Sequence, residues 1–153
     1  MTSPASRLEN LAHAKQLNAE PPGKEEVARL LASAEVQLRD SRNSTLSAQS
    51  RFMLAYNAAH ALALAALRRA GYRPSSAGHR KIIFQVLADT ARAPAELWLA
   101  LDKYHDRRNA AEYEGAPPAS TIEAEDLVRL VTDLDLLVRK RPLKADPEGR
   151  SGT

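Results

Sequence analysis

The segment YHDRRNAAEYEG, Tyr104 to Gly115, gathers residue types that handle phosphates and protons: two arginines, a histidine, an asparagine and two tyrosines among three carboxylates. An arginine fork holds a carboxylate or phosphate through two parallel N–H···O bonds, and a histidine exchanges a proton near neutral pH. On a helix turning about 100° per residue, with Leu97 as origin, Leu101 and Tyr104 fall within about 40° and Arg108 about 20° away. Arg108 thus continues an apolar stripe to the rim of a core. His105, Asn109, Glu112 and Tyr113 fan to one side of it, and Lys103, Arg107 and Glu114 to the other. Two readings of Arg108 follow. In one it pairs with Glu112 one turn on, or with an acid of the last helix, and closes the core. In the other it faces a ligand phosphate, with Asn109 and Tyr113 beside it and Arg107 assisting at the rim.

A scaffold must hold that segment, and the composition favours helices. The chain has 153 residues, enough for one core, with 44% hydrophobic but only 5% aromatic residues, so strands have little to be built from. The expected fold is all-α, an up-and-down bundle of four to five helices over residues 23–140, with an N-terminal arm at 1–22 and a disordered tail at 141–153. A short helix over Ser6–Ala19 ends before Pro21, Pro22 and Gly23. Val27, Leu30, Leu31, Ala34 and Leu38 mark an amphipathic helix from Lys24 to about Asp40. The turn SRNST then leads into a long helix from Thr45 to Ala70, apolar nearly all round and so the most enclosed. Gly71 suits a left-handed stop and Pro74 forbids continuation. A fourth helix is expected over Gly78–Arg92 and a fifth from Pro94 to Gly115. Ser120 and Glu123 form a capping box for the last, which runs to Arg139.

Charge and composition exclude several chemistries. There is no cysteine, hence no disulfide, thiolate metal site or cysteine nucleophile, as fits a cytoplasmic protein. No His–carboxylate cluster has metal spacing and no Gly-rich phosphate loop occurs, so no cofactor is expected. The net charge is only +3, yet Ser41 to Ala88 contains no acid while holding Arg42, Arg51, Arg68, Arg69, Arg73, Arg80 and Lys81. That window is either a face neutralised by the acidic helix after Ser120 or a phosphate-binding surface. The N-terminus lacks the apolar run of a signal peptide. The uncharged run Phe52–Leu67 carries Asn57 and His60 and falls short of the roughly 20 residues of a membrane span. His60 is expected to be buried and satisfied. Tyr56 and Asn57 either fix packing or contribute to a pocket beside Arg108.

The order of an amphipathic helix, then RFMLAYNAAHALALAALRRAGYRP, GHRKIIFQVL and RRNAAEYEG, resembles the HEPN superfamily, the higher eukaryotes and prokaryotes nucleotide-binding domain. The likeness spans about Lys24 to Arg139. It implies a helical bundle that forms a homodimer through the helices carrying the arginine segment, with RNA or a nucleotide bound there. Many members are metal-independent ribonucleases, often toxins paired with an antitoxin; others are non-catalytic binders or partners of a nucleotidyltransferase. In the nuclease members a histidine follows the arginine after four to six residues. Arginine steadies the phosphorane charge while histidine exchanges a proton with the ribose 2′-hydroxyl or the leaving group. Here Glu112, Tyr113, Glu114 and Gly115 stand at those places. The candidates left for a catalytic role are Arg108, His105 and Tyr113. Phenols titrate at about 10 in water, which suits a tyrosine to positioning or stacking more than to proton exchange. The resemblance implies phosphate or RNA contacts from Arg107, Arg108, Asn109 and Tyr113, with Tyr56, Asn57 and Glu112 in support. It leaves binding and catalysis both open.

Overall fold

A computed structural model describes residues 4–76 and 81–140. It is a helical bundle built on four long helices, α2 (Lys24–Ser41), α3 (Ala48–Arg69), α6 (Ala95–Tyr113) and α7 (Thr121–Lys140). Three short helices, α1 (Pro4–His13), α4 (Ile82–Gln85) and α5 (Leu87–Thr90), and the strands β1 (Leu17–Ala19) and β2 (Tyr72–Pro74) complete the described elements.

Helix α3 is the axis of the core. Ala55, Ala58, Ala63 and Ala65 are fully buried along it, and side chains this small let α2 and α7 pack closely against two of its sides. Its ends follow local rules. It starts at Ala48 rather than Thr45, because the cap is Ser47, whose hydroxyl accepts from the Ser50 amide at 3.1 Å, while Asn43 holds Thr45 in the preceding turn. Gly71 takes the left-handed conformation (φ 97°) just past the last turn. At the start of α7, Glu123 N–H donates to the Ser120 hydroxyl at 3.1 Å while Ser120 N–H donates to the Glu123 carboxylate at 3.0 Å, which completes the capping box. Pro94 stands one residue earlier than expected, as the N-cap of α6.

Two segments depart from the sequence expectation. The first helix stops at His13; Lys15 turns the chain at φ 67°, and β1 pairs antiparallel with β2, Leu17 opposite Pro74. Tertiary contacts override the helical reading of Ser6–Ala19: Leu17 is buried by this pairing, and with Leu8 it joins the same core as the bundle. The N-terminal segment is therefore packed on the bundle through α1 and β1. The second departure lies in the expected Gly78–Arg92 helix. Its first residues, 78–80, lie outside the described ones, and the rest breaks into α4 and α5, which meet at Val86 (φ −99°, ψ 9°). Ile82, Ile83, Phe84, Val86 and Leu87 are all buried. Such a run covers every side of a straight helix, so the chain bends to bury it whole. The expected C-terminal tail also lies outside the described residues.

Helix α6 bridges these layers through Leu97, Leu101 and His105, buried at successive four-residue steps. Burying a leucine contributes about 2 kcal/mol, so the two leucines anchor the helix before the polar residues at its C-terminal end begin. No helix among the described residues is long and apolar enough to cross a membrane.

Candidate functional site: the cleft between α3 and α6

An open cleft of about 890 Å³ runs across α3 between α2 and α6. Helix α2 contributes Leu30 and Gln37, and α3 contributes Tyr56, Asn57, His60 and Ala61. The opposite wall is Lys81 together with His105, Asp106, Arg108, Asn109 and Tyr113 of α6 and Glu114 at its C-cap. Helical projection puts Glu114 on the other flank with Arg107; it lies here because the helix ends at Tyr113. The lining mixes the apolar Leu30 and Ala61 with most of the polar groups the sequence singled out.

Arg108 dominates the polar lining. Its guanidinium lies over the Tyr56 ring, 5.1 Å from the centroid, a cation–π arrangement. Nη1 donates to the Asn109 side-chain oxygen at 3.1 Å, and the Glu112 carboxylate approaches Nη2 no closer than 3.8 Å. Nε is buried and has no hydrogen-bond partner. The side chain is 24% exposed. The core-closing pair with an acid of the last helix is absent for Arg108 among the described residues, and its Glu112 contact is loose.

Behind Arg108 stands His105, 7% exposed and thus buried rather than fanned along the flank. Its ring packs on Tyr56 and Phe84, with centroids 5.9 Å away in each case. Nδ1 lies 2.7 Å from the Tyr56 hydroxyl and Nε2 lies 3.2 Å from the Asn109 amide nitrogen. Burial pulls the imidazole below its ordinary value of 6.5; Asp106 opposes that and Lys81 reinforces it. Lys81 is itself bound by Asp106 (3.1 Å) and Asp102 (3.3 Å), and the Asp106 hydrogen bonds hold its ammonium above the usual range.

Among the remaining candidates, Tyr56 is buried with its hydroxyl in this chain of contacts, so it serves packing and pocket together. Asn57 is exposed at the mouth, and Tyr113, 75% exposed, stands at the rim. Glu112 touches Arg108 from outside the lining. His60, expected to be buried, is partly exposed and lines the cleft, its ring 6.4 Å from that of Tyr56.

Arg107 is not in the cleft. It turns to α7, where its guanidinium donates to Glu123 at 2.8 and 3.1 Å and to the carbonyls of Pro117 and Pro118 at 2.9 and 3.2 Å. This fork, with the Ser120 amide, pulls the Glu123 carboxyl down to about 2. One residue along a helix is a rotation of about 100°, which suffices to send adjacent arginines to opposite sides of α6.

The acid-free window likewise does not make one cationic face. Arg68 is buried against Glu26 (3.0 Å) and the carbonyls of Pro21 and Tyr72. Arg73 pairs with Glu20 and Glu26, Arg69 donates to the Val138 carbonyl, and Arg42 donates to Thr132. Arg51 donates to the Ser41 carbonyl and lies 3.8 Å from Glu125 of the acidic last helix. Arg80 lies outside the described residues.

Sequence reasoning named Lys81 only as part of the acid-free window and did not connect it to the arginine segment, and it gave Asp106 no role. Asp106 lay within the quoted segment, but its partner is distant in the chain and no local spacing signals it. No group of three or more histidines and carboxylates with the geometry to hold a metal occurs among the described residues. The chain matches no family model, no curated protein and no solved structure.

Proposed function

We propose that the chain is a HEPN-like binding protein that takes a nucleotide phosphate, free or within single-stranded RNA, at Arg108 in the α3–α6 cleft. One observation carries this reading: Arg108 is held over an aromatic face with its nearest carboxylate at 3.8 Å and a buried N–H that has no acceptor. An unmade hydrogen bond on a charged group costs about 1–3 kcal/mol or more, and a phosphate that draws the guanidinium outward would recover it. Asn57 and Asn109 offer amides to a base or ribose, Tyr113 offers a stacking face at the rim, and Leu30 and Ala61 add apolar contacts. Most of the other described arginines are engaged within the protein, which favours a ligand contacted at one or two phosphates over a long nucleic-acid track. A second copy across the open side of the cleft, as in a homodimer, would enclose the ligand. A cytoplasmic setting, with a cognate antitoxin or nucleotidyltransferase as partner, belongs to the same reading.

The rival, a metal-independent ribonuclease, needs a proton-exchanging group beside Arg108. His105 is adjacent, but both ring nitrogens are engaged and the ring is buried. Binding is therefore the better-supported function.

Fluorescence anisotropy with a labelled oligouridylate tests it. Arg108→Ala is expected to weaken binding at least about tenfold, as for loss of a charge-assisted contact, with the helical circular dichroism unchanged. Wild-type affinity should fall with salt at a logarithmic slope of roughly −1, the value for one or two phosphates on a single strand. Equal affinity of wild type and Arg108→Ala would refute the assignment. Intact RNA after prolonged incubation would separate binding from nuclease action.

A further inference from the structure

The contacts behind Arg108 fix their own donors and acceptors. Arg108 has only N–H groups, so the Asn109 atom it meets at 3.1 Å must be the amide oxygen. The Asn109 NH₂ then points at His105 Nε2, 3.2 Å away, which must accept. A neutral imidazole that accepts at Nε2 carries its proton at Nδ1, so Nδ1–H donates to the Tyr56 oxygen at 2.7 Å. Tyr56, the end of this chain, is also the ring on which the Arg108 guanidinium lies. The circuit Arg108–Asn109–His105–Tyr56 closes on itself.

A protonated ring breaks it. His105 would then donate at Nε2 as well, and Asn109 could meet that donor only by turning its oxygen inward. Its NH₂ would face Arg108 Nη1, donor against donor. We propose that His105 is a positioning residue for Arg108: its neutral Nδ1–H form orients the Asn109 amide that holds the arginine over Tyr56, and protonating the ring reverses the amide and releases the arginine, so that acid weakens ligand binding. This rests on the cleft being the binding site.

The groups facing His105 act in both directions. On α6, Asp102 and Asp106 favour the protonated ring and Arg108 opposes it; from the segment before α4, Lys81 opposes it while neutralising both aspartates. Helix α3 presents the Tyr56 hydroxyl and, one turn on, His60, which lines the same cleft; among the described residues α4 presents Phe84, which does not titrate. Burial is the largest influence and also favours the neutral ring.

Two measurements on the full chain test the proposal. Imidazole ¹⁵N NMR at pH 8 is expected to show His105 as the Nδ1–H tautomer, and the Asn109 side-chain amide signals are expected to shift with the His105 midpoint on acidification. An Nε2–H tautomer, or Asn109 signals that stay in place while His105 titrates, would overturn the proposal whatever the ligand. The second measurement is affinity for a 5′-hydroxyl oligouridylate with a rhodamine label, whose phosphodiesters and bases do not titrate between pH 5 and 7.5. Wild type should bind several-fold more weakly at the lower pH. His105→Gln should lose that dependence, and so should Asn109→Asp, whose carboxylate accepts from the arginine and the protonated ring alike. Variants that fold and keep the wild-type pH slope would overturn the proposal. Wild type that binds at neither pH would instead defeat the cleft reading, with the NMR result still deciding the coupling.

Discussion

Arg107 and Arg108 are neighbours in sequence and opposites in circumstance. The α6–α7 face gives Arg107 a carboxylate and two carbonyls, all within 3.2 Å, whereas the α3–α6 cleft gives Arg108 one side-chain amide, an aromatic face and a carboxylate at 3.8 Å. A guanidinium tied by Nε and Nη2 to a carboxylate and two carbonyls inside the protein is part of its framework. One held in place with donors to spare has capacity for an external anion. Residue type and sequence position are nearly the same; the facing element makes the difference.

That contrast can be broken most directly by removing Arg107. Arg107→Ala strands Glu123 and two turn carbonyls at the start of α7, and it should lower stability by about 2 kcal/mol in urea unfolding while leaving the oligouridylate affinity of the folded protein near wild type. The same pair should show itself with pH. Glu123 has a depressed folded value, about 2 against 4.5, so its stabilisation is fully present above about pH 4.5 and is lost as pH falls toward 2. With the side chains of the pair 23% and 31% exposed, solvent screening leaves about 1–2 kcal/mol of that linkage. The stability gap between wild type and Glu123→Gln should therefore narrow across this window; a gap as wide at pH 2.5 as at pH 7 would mean the pair is not the cause. Arg108→Ala should change unfolding free energy by under about 1 kcal/mol, since its ion pair is loose and partly exposed. A larger loss would make Arg108 a framework residue like its neighbour. The smallest effect belongs to Glu112→Gln, expected to shift stability by under about 0.5 kcal/mol and to tighten oligouridylate binding slightly by removing a competing carboxylate.

How much of this could be read from the chain follows the range of the interactions. The capping box of α7, the Gly71 stop of α3, and the amphipathic stripe of α2 depend on residues within a turn or two of one another, and each was legible. The start of α3 at Ser47, past the SRNST turn expected to cap it, the bend at Val86 and the β1–β2 pairing were not; the last two answer to burial against α3 and to partners more than fifty residues away. The site divides the same way. Its inventory of Arg108, Asn109, Tyr113 and His105 lies in one segment, and helical projection placed Arg108 at a rim. Projection put His105 on the polar flank beside Arg108 without deciding its burial, and the aromatic side chains of Tyr56 and Phe84 extend the core to enclose it. It likewise had no means of pairing Lys81, at the start of α4, with Asp102 and Asp106 of α6.

By itself, the sequence determined an all-helical bundle and a dense polar cluster at the end of one helix, because periodicity, capping and composition act locally. Only the tertiary structure decided which arginine was framework and which was left to face the cleft, and that the histidine lay beneath rather than beside it. Those outcomes depend on which groups from other helices approach within hydrogen-bonding distance, and no spacing within α6 encodes them.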